Sequence, residues 1–196
     1  MAILVILRFA SAADPRPIYD AIVDEMGIRE KPASGCVYHW AAPVKDGLFV
    51  ADIWETREQF DAFAREKIEP LARKHGLSAP TTEIADVYKL HGVASAAKGG
   101  IGVLVECDGD AKDLLAKYDA ANEKMDLPGQ PPEGLILHAM TTTSKGIRGV
   151  DRWQSRDAFD RFVQTRLGPA LQAVGMPPPR IEYFDVYNTI DGRAAT

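Results

Sequence analysis

The chain has 196 residues, 46% of them hydrophobic and 26% charged, the composition of an ordinary globular protein. Its formal net charge of −5 offers no basic field for nucleic acid or anionic lipid, and no run approaches the roughly 20 apolar residues of a membrane-spanning helix, so neither partner is expected. Cys36 and Cys107 form no CxxC, and four histidines show no metal-ligand spacing; reduced, buried thiols in a cytoplasmic protein with no metal or other cofactor are expected.

In chain order, ILVILRF (3–9) is apolar at both parities, the pattern of a strand buried on both faces. MAILVILRFASAAD ends in small residues but lacks the positive start and the length of a signal peptide, and is read as this strand. Asp14 and Pro15 suit the N-cap and first position of a helix whose Ile18, Ile22 and Met26 share a face. GCVYHWA (35–41) and GLFVADIW (47–54) read as two strands joined by a turn. Thr56 with Gln59 forms a capping box for a second helix that buries Phe60 and Phe63 and stops near Gly76. After Pro80, EIADVYKL (83–90) makes a fourth strand.

The same path then repeats. At an offset of 99, 23 of the first 92 positions are identical to their counterparts, with no gap from residue 1 onward. They include Tyr19/Tyr118, His39/His138, Asp52/Asp151, Trp54/Trp153, Phe60/Phe159 and the triplet Asp86-Val87-Tyr88 against Asp185-Val186-Tyr187. Such a run marks duplication of a complete unit. The expected organisation is a ferredoxin-like βαββαβ repeat over 1–91, a linker over 92–100 and a second repeat over 101–196. One such sheet carries helices on a single face, and a doubly apolar first strand needs burial on the other. An α+β fold whose two antiparallel sheets pack into one barrel is therefore expected.

Trp54-Glu55-Thr56…Phe60 and Trp153-Gln154-Ser155…Phe159 place a strand-ending tryptophan before a capped helix with a phenylalanine on its first turn. This pattern resembles the dimeric α+β barrel superfamily, its antibiotic biosynthesis monooxygenase-like group in particular, over both halves of the chain. Most members of that superfamily dimerise from single units, so the chain resembles a fused dimer, either monomeric or further dimerised. The resemblance implies a small apolar or aromatic ligand. For an enzyme it implies cofactor-independent oxygenation of an aromatic or polyketide-like substrate, in which a base removes a proton and the carbanion reacts with oxygen. A non-catalytic ligand-binding or stress-response barrel, or an isomerase or lyase, stays open on the same fold.

Strand alternation puts Val50, Asp52 and Trp54 on one face, and Val37, His39 and Ala41 on one face of the preceding strand. A hairpin turning at residues 45–46 sets His39 opposite Asp52, and likewise His138 opposite Asp151, where cross-strand Cβ atoms lie about 4.5–5.5 Å apart. An aspartate so placed fixes the imidazole tautomer, as a general base requires. His39 and His138 are thus candidate bases with Asp52 and Asp151 as orienters, or hydrogen-bonded pairs that pin the hairpin register. Trp54 and Trp153 are candidate substrate-binding walls or core packing. Tyr88 and Tyr187 are candidate substrate contacts or anchors of an edge strand, and Tyr19 and Tyr118 share that ambiguity. The unduplicated His75 (opposite Val174) and His91 (opposite Ile190) speak against a repeated haem ligand. One parity of the third strand carries Phe49 and Ile53 in the first copy but Arg148 and Arg152 in the second. A solvent-exposed face is expected there, the alternative being an acidic partner or anionic ligand.

Overall fold

The computed structural model describes residues 1–92 and 99–192. The first copy runs β1 (Ile3–Ala10), α1 (Arg16–Met26), β2 (Cys36–Val44), β3 (Gly47–Trp54), α2 (Arg57–Phe63), α3 (Glu69–Lys74) and β4 (Thr81–Gly92). The second runs β5 (Ile101–Asp108), α4 (Ala111–Met125), β6 (Leu135–Thr143), β7 (Gly146–Trp153), α5 (Arg156–Phe162), α6 (Gly168–Ala173), β8 (Arg180–Asp185) and β9 (Asn188–Asp191). This is the expected α+β order of two ferredoxin-like repeats with antiparallel pairing. Of the expected linker, Gly92 closes β4, while residues 93–98 lie outside the described residues.

The chain forms two compact units whose boundaries fall inside the repeats' fourth strands. Unit 1 holds Met1–Asp86 and the segment from Phe184, and unit 2 holds the segment from Val87 together with Gly100–Tyr183. In unit 1, residues 81–86 of β4 pair with β1, and the order continues β3, β2, β9. In unit 2, β4 from Val87 pairs with β6, and the order continues β7, β5, β8. The register of β4 on β6 shifts between Val87 and Lys89, and β8 ends just before Val186. The Asp-Val-Tyr triplet thus contains the unit boundary in the first copy, between Asp86 and Val87, and follows it in the second, where the boundary falls between Tyr183 and Phe184.

One register differs from the gapless offset. Ile3 pairs with Trp54, whereas Ile101 pairs with Trp153, so β1 and β5 correspond at an offset of 98, not 99. Phe9 is thus the counterpart of Cys107, and Leu7 of Val105. A one-residue slip turns every side chain to the opposite face, so this shift decides which side chains look toward the helices.

Helices α2, α5 and α4 begin where short polar side chains accept backbone N–H groups: Thr56 from Gln59 at 3.2 Å, Ser155 from Ala158 at 3.1 Å and Asp110 from Asp113 at 2.9 Å. In α1 the N-cap position falls to Pro15 instead of the expected Asp14, which lies one residue further out and accepts from the Arg16 N–H at 3.1 Å. Each expected second helix is interrupted by a wider π turn, over 64–68 and 163–167. Pro70 and Pro169 follow at once; lacking an N–H and crowding the preceding turn, they prevent a regular α ladder from running through. In unit 1, Ile3, Val5, Leu7 and Phe9 pack with Tyr19, Val23, Leu48, Val50, Trp54 and Phe60. The other parity (Leu4, Ile6, Trp40, Phe49, Ile53) is buried as well.

The expectation of an exposed arginine face in the second copy fails. Arg152 is fully buried and its Nη1 donates to the Ile101 carbonyl at 2.7 Å. It stands opposite Gly102, where unit 1 sets Leu4 against Ile53; the missing side chain makes room for the guanidinium. Arg148 meets Glu106 at 2.7 Å. The matching cross-strand pair in unit 1 is Arg8 and Phe49, with the guanidinium carbon 4.7 Å from the ring centroid. In unit 2 the cation stands on the other strand of this pair, where it meets a carboxylate.

Gly47 opens β3 at φ 147°, and a Cβ there would lie 1.8 Å from the Phe9 carbonyl oxygen. Gly47→Ala is predicted to destabilise the protein by about 3 kcal/mol or more, read as a lowered urea midpoint at unchanged slope.

Candidate functional site

The β2–β3 and β6–β7 hairpins set His39 opposite Asp52 and His138 opposite Asp151. The side chains meet. His39 Nδ1 lies 2.7 Å from Asp52 Oδ1, and His138 Nδ1 lies 2.6 Å from Asp151 Oδ1. A third residue completes each chain from the first helix of its repeat: Tyr19 Oη is 2.7 Å from His39 Nε2, and Tyr118 Oη is 2.9 Å from His138 Nε2. The carboxylates can only accept, so each Nδ1 carries the proton; Nε2 of the neutral ring then accepts from the tyrosine hydroxyl. Burial holds both tyrosine hydroxyls well above their ordinary range, which keeps them protonated donors.

The two copies differ in what surrounds the chain. In unit 1 the space beside Tyr19, His39 and Asp52 is about 70 Å³, room for about two waters. In unit 2 the cavity beside Tyr118, His138 and Asp151 is about 560 Å³, the size of a small-molecule site. Its wall is mostly apolar, with Val105, Met125, Leu127, Met140, Ile147, Phe162, Leu171 and Met176, and it includes Trp153 and His91. The counterparts explain the difference: Phe9 stands where unit 2 has Cys107, Ile22 where it has Ala121, and Val50 where it has Gly149. Three smaller side chains on β5, α4 and β7 leave the space that unit 1 fills.

The tryptophans divide in the same way. Trp153 lines the cavity, and its Nε1 donates to Asp151 Oδ2 at 3.2 Å. Trp54 packs on Phe60 and Phe63, and its Nε1 has no partner among the described residues. Tyr88 and Tyr187, candidate substrate contacts by sequence, line neither cavity. Their rings are 45% and 40% exposed, and their hydroxyls donate to Asp119 and Asp20 on the first helices. They anchor the transferred strand segments, which is the other role open to them.

Sequence reasoning stopped short of three residues. Tyr19 and Tyr118 returned in both repeats, each 20 residues before its histidine, and that constant spacing was the available signal. His91 carried none: its place follows from the pairing of β4 with β6, which sets it across from His138.

No protein-family model and no curated protein matches the chain. Solved structures do. Two are each described as a "putative monooxygenase": one from Lactobacillus acidophilus NCFM, 10% identical with TM-score 0.74 over 97% of this chain and 96% of that one, and one from Fusobacterium nucleatum, 11% identical with TM-score 0.70 over 97% and 94%. A third, from Listeria monocytogenes, is an uncharacterised ferredoxin-fold protein related to antibiotic biosynthesis monooxygenases, 9% identical with TM-score 0.51 over 94% of each chain. These likenesses show the fold. The chain is an α+β protein of two tandem ferredoxin-like units, built like the antibiotic biosynthesis monooxygenase relatives among solved structures.

Because burial raises their pKa, Tyr19 and Tyr118 favour folding fully below the unfolded tyrosine value near 10, and that contribution is lost as pH rises through the folded value. In an ultraviolet titration of the folded protein, Tyr118→Phe is expected to remove a phenolate component that appears later than the same transition in denaturant.

Proposed function

We propose that unit 2 binds a small, largely apolar molecule in its cavity and moves a proton on it through Tyr118, His138 and Asp151, the first step of a cofactor-independent oxygenation. One observation carries this reading: the same hydrogen-bonded chain occurs twice, but only beside His138 does it border about 560 Å³ of space against about 70 Å³ beside His39. Both ring nitrogens of His138 are engaged, so the group that meets a substrate C–H is the Tyr118 oxygen. As its own proton passes to His138 Nε2, the tyrosine oxygen takes the substrate's proton. Asp151 holds the ring and balances the imidazolium. Trp153 holds Asp151 and offers a flat wall. The carbanion so formed reacts with dioxygen, a step supported by the monooxygenase descriptions of the similar structures.

In this reading the His39 chain is a buried structural lock, and the protein has one working site. No helix among the described residues is long and apolar enough to cross a membrane. A cytoplasmic setting, which would keep the Cys107 thiol in the cavity wall reduced, belongs to the same proposal.

The variants separate the roles. A Cβ on Gly149 would lie 3.5 Å from His138 Cε1 and Met140 Cε, ordinary contact, and unit 1 has valine at the corresponding place. Gly149→Val is expected to cut affinity for an aromatic ligand about tenfold or more in calorimetry without lowering the melting temperature. With a turned-over phenolic substrate in an oxygen electrode, His138→Gln should slow oxygen uptake by about 10²–10⁴ while ligand still binds. His39→Gln should leave uptake per folded molecule intact and cost about 1–3 kcal/mol of stability, because Asp52 and Tyr19 lose a buried partner. Ligand binding by the wild type with no oxygen uptake on any such substrate would leave a binding module instead.

A further inference from the structure

We infer that His91 is the group in unit 2 that takes the proton of an acidic hydroxyl on the ligand, leaving the Tyr118–His138 chain to act at carbon. The inference rests on the cavity reading and deepens it. His138 cannot perform this task without giving up a partner, since Asp151 and Tyr118 engage its two nitrogens. His91 is free to do so. It stands opposite His138 in the β4–β6 register and lines the cavity, with the two ring centroids 6.1 Å apart and the planes 22° from parallel. Its ring has no hydrogen-bond partner among the described residues.

Unit 1 supplies the internal control. There, Ile190 stands opposite His39 in the corresponding pairing and is buried in the apolar cluster. An imidazole replaces an isoleucine only in the unit where the cavity beside the facing histidine is large enough for a ligand. The ionisable groups of the cavity wall are Cys107 from β5, Tyr118 from α4, His138 from β6, Asp151 from β7 and Glu133 from the segment before β6, and Lys89 acts on His91 from its own strand. Burial, then His138 and Lys89, hold His91 below the ordinary histidine value. It therefore presents a neutral, proton-accepting nitrogen at pH 7. The ligand's O–H bond breaks, the electron pair stays on oxygen, and the proton bonds to the His91 nitrogen. The result is an imidazolium beside an oxyanion, and the oxyanion's electron density makes the attached carbon frame more reactive.

Two small probes test this on the intact chain: nitrobenzene, which has no hydroxyl, and 4-nitrophenol, whose anion absorbs visible light. Nitrobenzene binding, measured by calorimetry, is expected in the wild type, His91→Gln and His91→Ile, and lost in Gly149→Val. Bound 4-nitrophenol should ionise about one pH unit lower than in water in the wild type, a tenfold gain in the anion-to-neutral ratio, and lose that gain in both His91 variants. An undiminished gain in those variants overturns the role of His91 while the cavity stands. Failure of the wild type to bind nitrobenzene overturns both readings. If His91→Ile folds poorly, His91→Gln, an amide of similar reach, carries the comparison alone.

Discussion

A carboxylate buried in an apolar interior must be hydrogen-bonded, and two such carboxylates organise this protein. Asp52 and Asp151 are 4% and 6% exposed, and each is held by the histidine across its hairpin. The histidine's far nitrogen then reaches a tyrosine on the first helix, so one chain of two hydrogen bonds joins two strands to the helix that packs on them. The hairpin register, the docking of α1 and α4 and the tautomer of each imidazole all follow from it. A slip of either hairpin would leave a charge stranded.

The same frame has taken two forms. In unit 1, Phe9, Ile22 and Val50 fill the space beside the chain, and Asn188 from the transferred segment donates to Tyr19 at 2.7 Å, so that the hydroxyl is enclosed on both sides. In unit 2, cysteine, alanine and glycine open that space, and the transferred segment brings His91 instead. Bulk is smaller at three positions on three different elements of that cavity's wall.

The fourth strand of each repeat divides between the two units. Tyr88 and Tyr187 sit just past the change of partner and pin the transferred segments to Asp119 and Asp20. Their repetition, like that of the tryptophan corners, is architectural. The π turns ahead of Pro70 and Pro169 recur for the same local reason, a missing N–H one position on. At these positions repetition marks the frame.

By itself the sequence determined the duplication, the βαββαβ order, the capped starts of α2 and α5 and the opposition of each histidine to its aspartate. These depend on local periodicity, capping and the two-residue alternation of a hairpin, all of which act over short distances. It did not disclose the one-residue shift of β1, the burial of Arg152 and half-burial of Arg148, the outward place of Tyr88 and Tyr187, or His91 in the cavity wall. Each of those depends on which strand lies beside which, and strand partners far apart in the chain are set by packing and register in three dimensions. The volume beside His138 is the clearest case: no residue encodes it, because it is what remains where Cys107, Ala121 and Gly149 stand in one cavity wall.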